Sequence, residues 1–193
     1  MKNYLSCAET AKMIRSVLKE SFPGVKFSVK SSTYSMGASI TVRYQDGPTA
    51  DAVKSVVSIF EASYFDGMQD YKGQRYTAID GQEVRFGADY VFVNRSYSVE
   101  FLTVMAKDVC QKYGLEIGYE ILDSEYSGAY IAGANAVVMP CGRYFPAAVG
   151  FACAEVSMKD ALGATIQPSA TLTRITSLGD DGYGQGCVGR LAA

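Results

Sequence analysis

Two carboxylates, Asp66 and Asp70, stand four residues apart in the run Tyr64-Phe65-Asp66-Gly67-Met68-Gln69-Asp70-Tyr71-Lys72. On a loop, such a pair could gather a cation or supply one acid and one base. A calcium loop needs more oxygens at regular intervals and a distal Glu, and this run has neither. The competing reading is a structured bend: Asp66-Gly67 makes the turn and the flanking aromatics anchor it. A second set follows between Gly81 and Ser98. Arg85, Asp89, Asn94 and Arg95 are polar residues in an apolar, aromatic setting that ends at Tyr97. Either arginine could clamp a phosphate or carboxylate in bidentate fashion. The structural alternative is a buried Arg–Asp pair, with Asn or Ser capping the next helix. A third candidate is Cys141, whose thiol could be activated by the nearby Arg143.

Composition narrows these options. The 193 residues include no histidine. Zinc sites built on imidazole, Ser-His-Asp triads and Cys-His dyads are therefore excluded. Five cysteines, at positions 7, 110, 141, 153 and 187, form no CxxC and leave one unpaired, so they read as reduced and mostly buried thiols. No metal, no cofactor and no catalytic residue is expected, which favours a binding protein over an enzyme. The stretch from Gly179 to Gly189 is glycine-rich but fits no phosphate-binding pattern, and it reads as a mobile tail. The net charge of −2 gives no pull toward nucleic acid and is too small for a DNA mimic. Fourteen tyrosines suit contact surfaces, because the ring is apolar and the hydroxyl polar. With neither a leader peptide nor a membrane span legible, the expected place is the cytoplasm.

The elements that must position these residues follow from local pattern. Ser6-Cys7-Ala8-Glu9 is a capping box, and Ala11, Ile14, Val17 and Leu18 make one helical stripe that Pro23-Gly24 stops. Val25, Phe27 and Val29, then Ala38, Ile40, Val42 and Tyr44, alternate with polar residues as strands do. Asp46-Gly47-Pro48 turns the chain. Thr49 caps a second helix whose inner stripe is Val53, Val56, Val57 and Phe60. Residues 63–74 read as a polar loop. Short strands are expected at Arg75–Ile79 and Val84–Phe86, joined by Asp80-Gly81, and a central strand at Tyr90–Val93. Ser98 and Gly114 bound a third helix. Leu115, Ile117, Tyr119 and Ile121 suggest another strand, Ser157–Leu162 a short helix and Ala170–Ile175 a late strand. The tract from 123 to 156 carries no firm assignment. The expectation is an α+β fold: an antiparallel or mixed sheet with three main helices packed on it, residues 1–114 as a helix–hairpin–helix region and residues 115–193 as a β-rich part.

Three stretches carry a family resemblance: SCAETAKMIRSVLKESFPGVKFSVKSSTYSMGASITV, YQDGPTADAVKSVVSIFEASYFDGMQDY and IDGQEVRFGADYVFVNRSYS. Together, over residues 6 to 98, they resemble the large polyvalent protein-associated domain family 29. Such domains occur in phage and conjugative-plasmid proteins, alone or fused into very large polyproteins. The resemblance implies a gene carried by a phage or plasmid and transfers no catalytic residue. Small accessory proteins of that origin often bind and inhibit host defence complexes. The leading expectation is thus a mobile-element binding protein, an anti-CRISPR or anti-restriction inhibitor working by protein–protein contact through the loops at 63–72 and 85–97. One alternative is a small enzyme or nucleotide-binding accessory domain using Arg85, Asp89 and Arg95. Another is a single-stranded nucleic-acid binder using Lys26, Lys30, Arg43, Tyr34 and Tyr44, which the net charge disfavours.

Overall fold

A computed structural model describes residues 4–124, 127–133, 137–155 and 166–182. Among them are four α-helices and ten strands, an α+β arrangement with mixed and antiparallel sheets. None of the described helices is long and apolar enough to cross a membrane. The chain divides into two compact units that interleave along the sequence. One takes residues 1–42, 54–93 and 167–193, the other residues 43–53 and 94–166.

The first unit begins with β1 (Tyr4–Leu5) and α1 (Cys7–Ser21). The capping box forms as expected: the Glu9 N–H donates to Ser6 Oγ, and the Ser6 N–H donates to Glu9 Oε2 at 2.8 Å. Ala11, Ile14, Val17 and Leu18 are all buried. A hairpin of β2 (Ser28–Tyr34) and β3 (Gly37–Gln45) follows. β3 buries Ala38, Ile40, Val42 and Tyr44, as its alternation requires, whereas β2 buries Val29 alone. α2 (Ala50–Val57) leads through a short 3-10 turn to the buried Phe60, whose ring lies 5.1 Å from that of Phe86.

The segment read as a polar loop is instead a hairpin of β4 (Ser63–Asp66) and β5 (Tyr71–Ile79). β5 continues through Asp80-Gly81, both at positive φ, into β6 (Gln82–Phe86), and β7 spans Tyr90–Ser96. The late strand is shifted from its expected place. A 3-10 turn occupies Leu172–Arg174, and the tenth strand, Ile175–Asp180, pairs antiparallel with β5 from Ile79 to Arg75. One sheet runs β1-β6-β5 and then this last strand, with β4 also on β5. A second runs β2-β3-β7, so β7 is an edge strand rather than the central one expected. The β1–β6 pairing is parallel, and it depends on Gly87: a Cβ there would fall 2.6 Å from the Leu5 carbonyl oxygen and the Cys7 nitrogen.

In the second unit, α3 (Val99–Tyr113) is capped by Ser98, whose Oγ accepts from the Phe101 N–H, and ends at Gly114 in the left-handed region. β8 (Glu120–Leu122) pairs with β9 (Tyr130–Ala132). The predicted strand from Leu115 is thus reduced to its last residues; Leu115, Ile117 and Tyr119 pack on the core without strand pairing. α4 (Phe145–Glu155) is a fourth helix, lying in the tract that carried no assignment. Leu102, Met105, Ala106 and Val109 of α3 meet Phe145, Val149 and Cys153 of α4 in this unit's core. The predicted helix at Ser157–Leu162 and most of the glycine-rich tail lie outside the described residues. The strand Ile175–Asp180 is β10.

Candidate functional site

Asp89 organises one surface of the first unit. Its Oδ1 accepts from Ser63 Oγ at 3.0 Å and faces Lys72 Nζ at 3.0 Å, and its Oδ2 accepts from the Ala38 N–H at 3.2 Å. Partial burial alone would raise its pKa. The Lys72 ammonium, the Ala38 N–H and the Ser63 hydroxyl outweigh that and hold the carboxyl below its ordinary value. The expected Arg–Asp pair is therefore a Lys–Asp pair. Lys72 also lies over the Tyr90 ring at 5.8 Å, and Tyr90 lies 6.3 Å from Phe92. The β4–β5 register sets Phe65 opposite Lys72, on the same face of the hairpin. Gly37 completes the arrangement, since a Cβ there would stand 2.6 Å from Asp89 Oδ2 and 2.8 Å from the Tyr34 ring. Aromatic rings thus surround a neutralised ion pair, and three of them face solvent: Tyr34 at 52%, Phe65 at 56% and Phe92 at 52% exposure. Beyond them, the two hairpin tips carry Met36, 96% exposed, and Met68, 95% exposed.

The opposite face of the β4–β5 hairpin does different work. The Tyr64 and Tyr71 hydroxyls both donate to the Asp181 carboxylate, which also accepts from the Gln74 N–H at 2.8 Å. Gly73 makes this possible, because a Cβ there would sit 2.1 Å from the Tyr64 ring. These two tyrosines hold the end of β10 in place. Asp66 Oδ1 accepts from the Met68 N–H at 2.8 Å, and Asp70 takes a positive φ of 49°, so Asp66 through its carboxylate and Asp70 through its backbone shape a turn. Among the described residues, no group of three or more cysteines, aspartates or glutamates is placed to hold a metal ion.

Residues 5–98 match the family model of large polyvalent protein associated domain 29. This is a domain of polyvalent, phage-associated proteins. No curated protein and no solved structure matches the chain. The domain 29 match spans α1 through β7 and stops at Ser98, the cap of α3. It includes Lys72 and Ser63, the partners of Asp89 that sequence reasoning missed.

The remaining expected site residues are dispersed. Arg85 is exposed on β6, opposite Tyr4 of β1, and Asn94 is exposed on β7. Arg95 belongs to the second unit, where its guanidinium donates to three backbone carbonyls: Asp46 at 2.9 Å, Gly47 at 2.9 Å and Cys153 at 2.8 Å. It also faces the Tyr97 and Phe101 rings, at 5.1 and 5.5 Å, which stack nearly parallel. Arg95 thus ties the Cys153 carbonyl of α4 to the Asp46-Gly47 turn. An arginine so committed has little left for a phosphate. Burial pushes the Tyr97 hydroxyl above its ordinary pKa. Tyr44, one of the rings expected to stack on single strands, is buried: its hydroxyl donates to the Pro48 carbonyl at 3.0 Å and is pushed up to about 12, chiefly by burial.

Proposed function

We propose that the chain is a binding protein of a phage or plasmid, that it acts in the host cytoplasm, and that the exposed aromatic and methionine surface around Lys72 and Asp89 is its contact face. The observation that carries this reading is the chemistry of that surface. Tyr34, Phe65 and Phe92 are more than half exposed, and Met36 and Met68 project almost wholly into solvent. Aromatic residues and methionine are the types enriched in protein interfaces, whereas free surfaces favour Lys, Glu, Asp and Ser. Lys72 and Asp89 neutralise each other, so covering the patch would bury no unpaired charge there. Met36 adds a second argument. It holds a positive φ of 75°, a conformation costly for a residue with a long side chain, at a tip where Gly or Asn would be cheaper. Strain retained at an exposed apolar residue suits contact better than folding.

The phage association of domain 29 supports a host defence complex, of the CRISPR or restriction type, as the target. The test is a plating assay. The chain is expressed in bacteria carrying one defined defence system, and a phage that the system restricts is titred. Restored plating by the wild type, lost with a Phe65→Ala/Phe92→Ala double variant that still folds, is the expected result. Equal plating with and without the chain, across representative CRISPR and restriction systems, would remove the anti-defence reading. Direct binding of the purified complex, measured on the same variants, tests the contact face separately.

A further inference from the structure

The second unit contains a cavity of about 440 Å³ between the C-terminal half of α3 and α4, within the range of small-ligand sites. Its origin is legible in α4, Phe-Pro-Ala-Ala-Val-Gly-Phe-Ala-Cys-Ala-Glu, which has no charged residue before Glu155. Phe145, Val149 and Cys153 turn one side of α4 into the core. Beside them on the same flank, Ala148 and Ala152 are too small to fill the space against Met105 and Val109 of α3, and those four residues line the apolar part of the cavity.

The polar part is mostly cationic. Arg143 lies with its guanidinium 4.3 Å from the centre of the Phe151 ring, a cation–π contact. Lys112 is the second cation in the lining, and its ammonium lies over the Tyr113 ring at 5.6 Å. The ion pairs formed among the described residues are Lys72–Asp89, Arg75–Glu61 and Arg174–Asp80, so neither cavity cation is matched by a carboxylate there. Asp108 also lines the cavity and sets a limit: two positive charges against one negative favour a ligand with a single negative charge. The exposed thiol of Cys141 belongs to the same lining.

We propose that this cavity binds a small organic carboxylate, one negative charge joined to a flat apolar body. Arg143 receives the anion through paired N–H groups, Lys112 adds a point charge, and the body lies against Phe151 and the alanine floor. A polar head on an apolar body matches both halves of the lining. The proposal is independent of the contact face assigned above, since every residue it uses lies in the second unit.

The probe is 8-anilinonaphthalene-1-sulfonate, an aryl monoanion whose fluorescence rises on apolar binding, used with the full chain. One saturable site is expected. Arg143→Ala should weaken it about tenfold, the loss of one charge-assisted contact. Ala148→Leu, which fills the floor, should abolish it, with circular dichroism and melting temperature confirming that both variants fold. On the wild type, saturating probe should slow iodoacetamide labelling of Cys141, read by mass spectrometry of its own peptide. Benzoate, a monoanion at neutral pH, should compete, and phenyl phosphate, largely a dianion there, should compete more weakly. Probe binding that is absent, or equally strong in both folded variants, overturns the proposal. So does an unchanged labelling rate at Cys141, or failure of benzoate to compete.

Discussion

Asp89 and Ala38 are joined twice. The backbone N–H of Asp89 donates to the Ala38 carbonyl at 2.8 Å, and the Ala38 N–H donates back to Asp89 Oδ2 at 3.2 Å. One residue between β6 and β7 thereby grips the start of β3, and its other carboxylate oxygen reaches Ser63 of β4 and Lys72 of β5. Asp89→Ala leaves the Ala38 N–H and the Ser63 hydroxyl without their acceptor in a partly buried setting. A loss of about 1–3 kcal/mol is expected from the unpaired donors. Asp89→Asn, which keeps an acceptor oxygen, should lose less. Urea unfolding of the three proteins checks the order, and an Asp89→Ala variant as stable as wild type would refute the role given to this carboxylate.

Glu20 gives a pH dependence. Its carboxylate accepts from the Thr171 N–H at 3.0 Å and from the hydroxyls of Ser169 and Thr171, both at 2.7 Å, with Ser16 adding another bond from within α1. These bonds, the Thr171 backbone first, lower its pKa to about 2 from 4.5. A folded-state pKa below the unfolded one means stability that is fully present above about 4.5 and is lost as pH falls toward about 2. Asp80 and Asp89 are shifted in the same direction, so the Glu20 share is read by difference. The melting temperature of wild type should fall more steeply across this window than that of Glu20→Gln. Parallel curves would show that Glu20 does not couple α1 to residues 169–171.

These two carboxylates also mark the limit of sequence reading. Signals confined to a few neighbouring residues were legible: the Ser6–Glu9 box, the alternation of β3, the Asp80-Gly81 turn, and the Ser98 and Gly114 caps of α3. Each is carried by residues at most a few positions apart, through a bond, a turn or a period-two pattern. The β4–β5 hairpin was not legible, because Gly73, Gln69 and Asp70 carry the composition of a loop. Strand pairing with β10, about a hundred residues later, overrides that composition. The site residues divide in the same way. Asp66-Gly67 was recognisable as a turn, but no local pattern could match Asp89 with Lys72, Tyr64 with Asp181, or Arg95 with the Cys153 carbonyl.

The clamp on Asp181 should be separable from the contact face. Tyr64→Phe and Tyr71→Phe each remove one hydroxyl donor while leaving the ring, and the double variant leaves Asp181 with its backbone donor from Gln74. Faster amide hydrogen exchange in residues 175–182 is expected, largest in the double variant, with exchange in α3 unchanged. Exchange that rises throughout the chain would instead make the pair part of a global core.

Arg95 should behave as a structural cation. Arg95→Ala leaves the Asp46, Gly47 and Cys153 carbonyls without its donors, and the expected cost is about 2–4 kcal/mol, since each lost bond carries a charged partner. Arg95→Lys should recover only part of it, because one ammonium cannot reproduce a planar fork aimed at three oxygens. Chemical denaturation gives both values. A fully stable Arg95→Lys variant would show that charge alone, without the fork, suffices.

Met36 sets stability against function. At φ 75° its backbone occupies the left-handed region, which costs a side-chain-bearing residue roughly 1–2 kcal/mol and glycine almost nothing. Part of that gain is returned through the greater freedom of glycine in the unfolded chain. Met36→Gly should therefore raise stability by about 0.5–1 kcal/mol, and since the side chain is almost wholly exposed, little packing is lost with it. The same change removes an apolar tip from the proposed contact face. If that face binds a partner, the variant melts higher and yet binds the target more weakly, the opposite of what a folding defect produces. Thermal melts and target titration on one preparation decide the matter. A lower melting temperature would refute the strain, and unchanged affinity would confine the contact to Tyr34, Phe65 and Phe92.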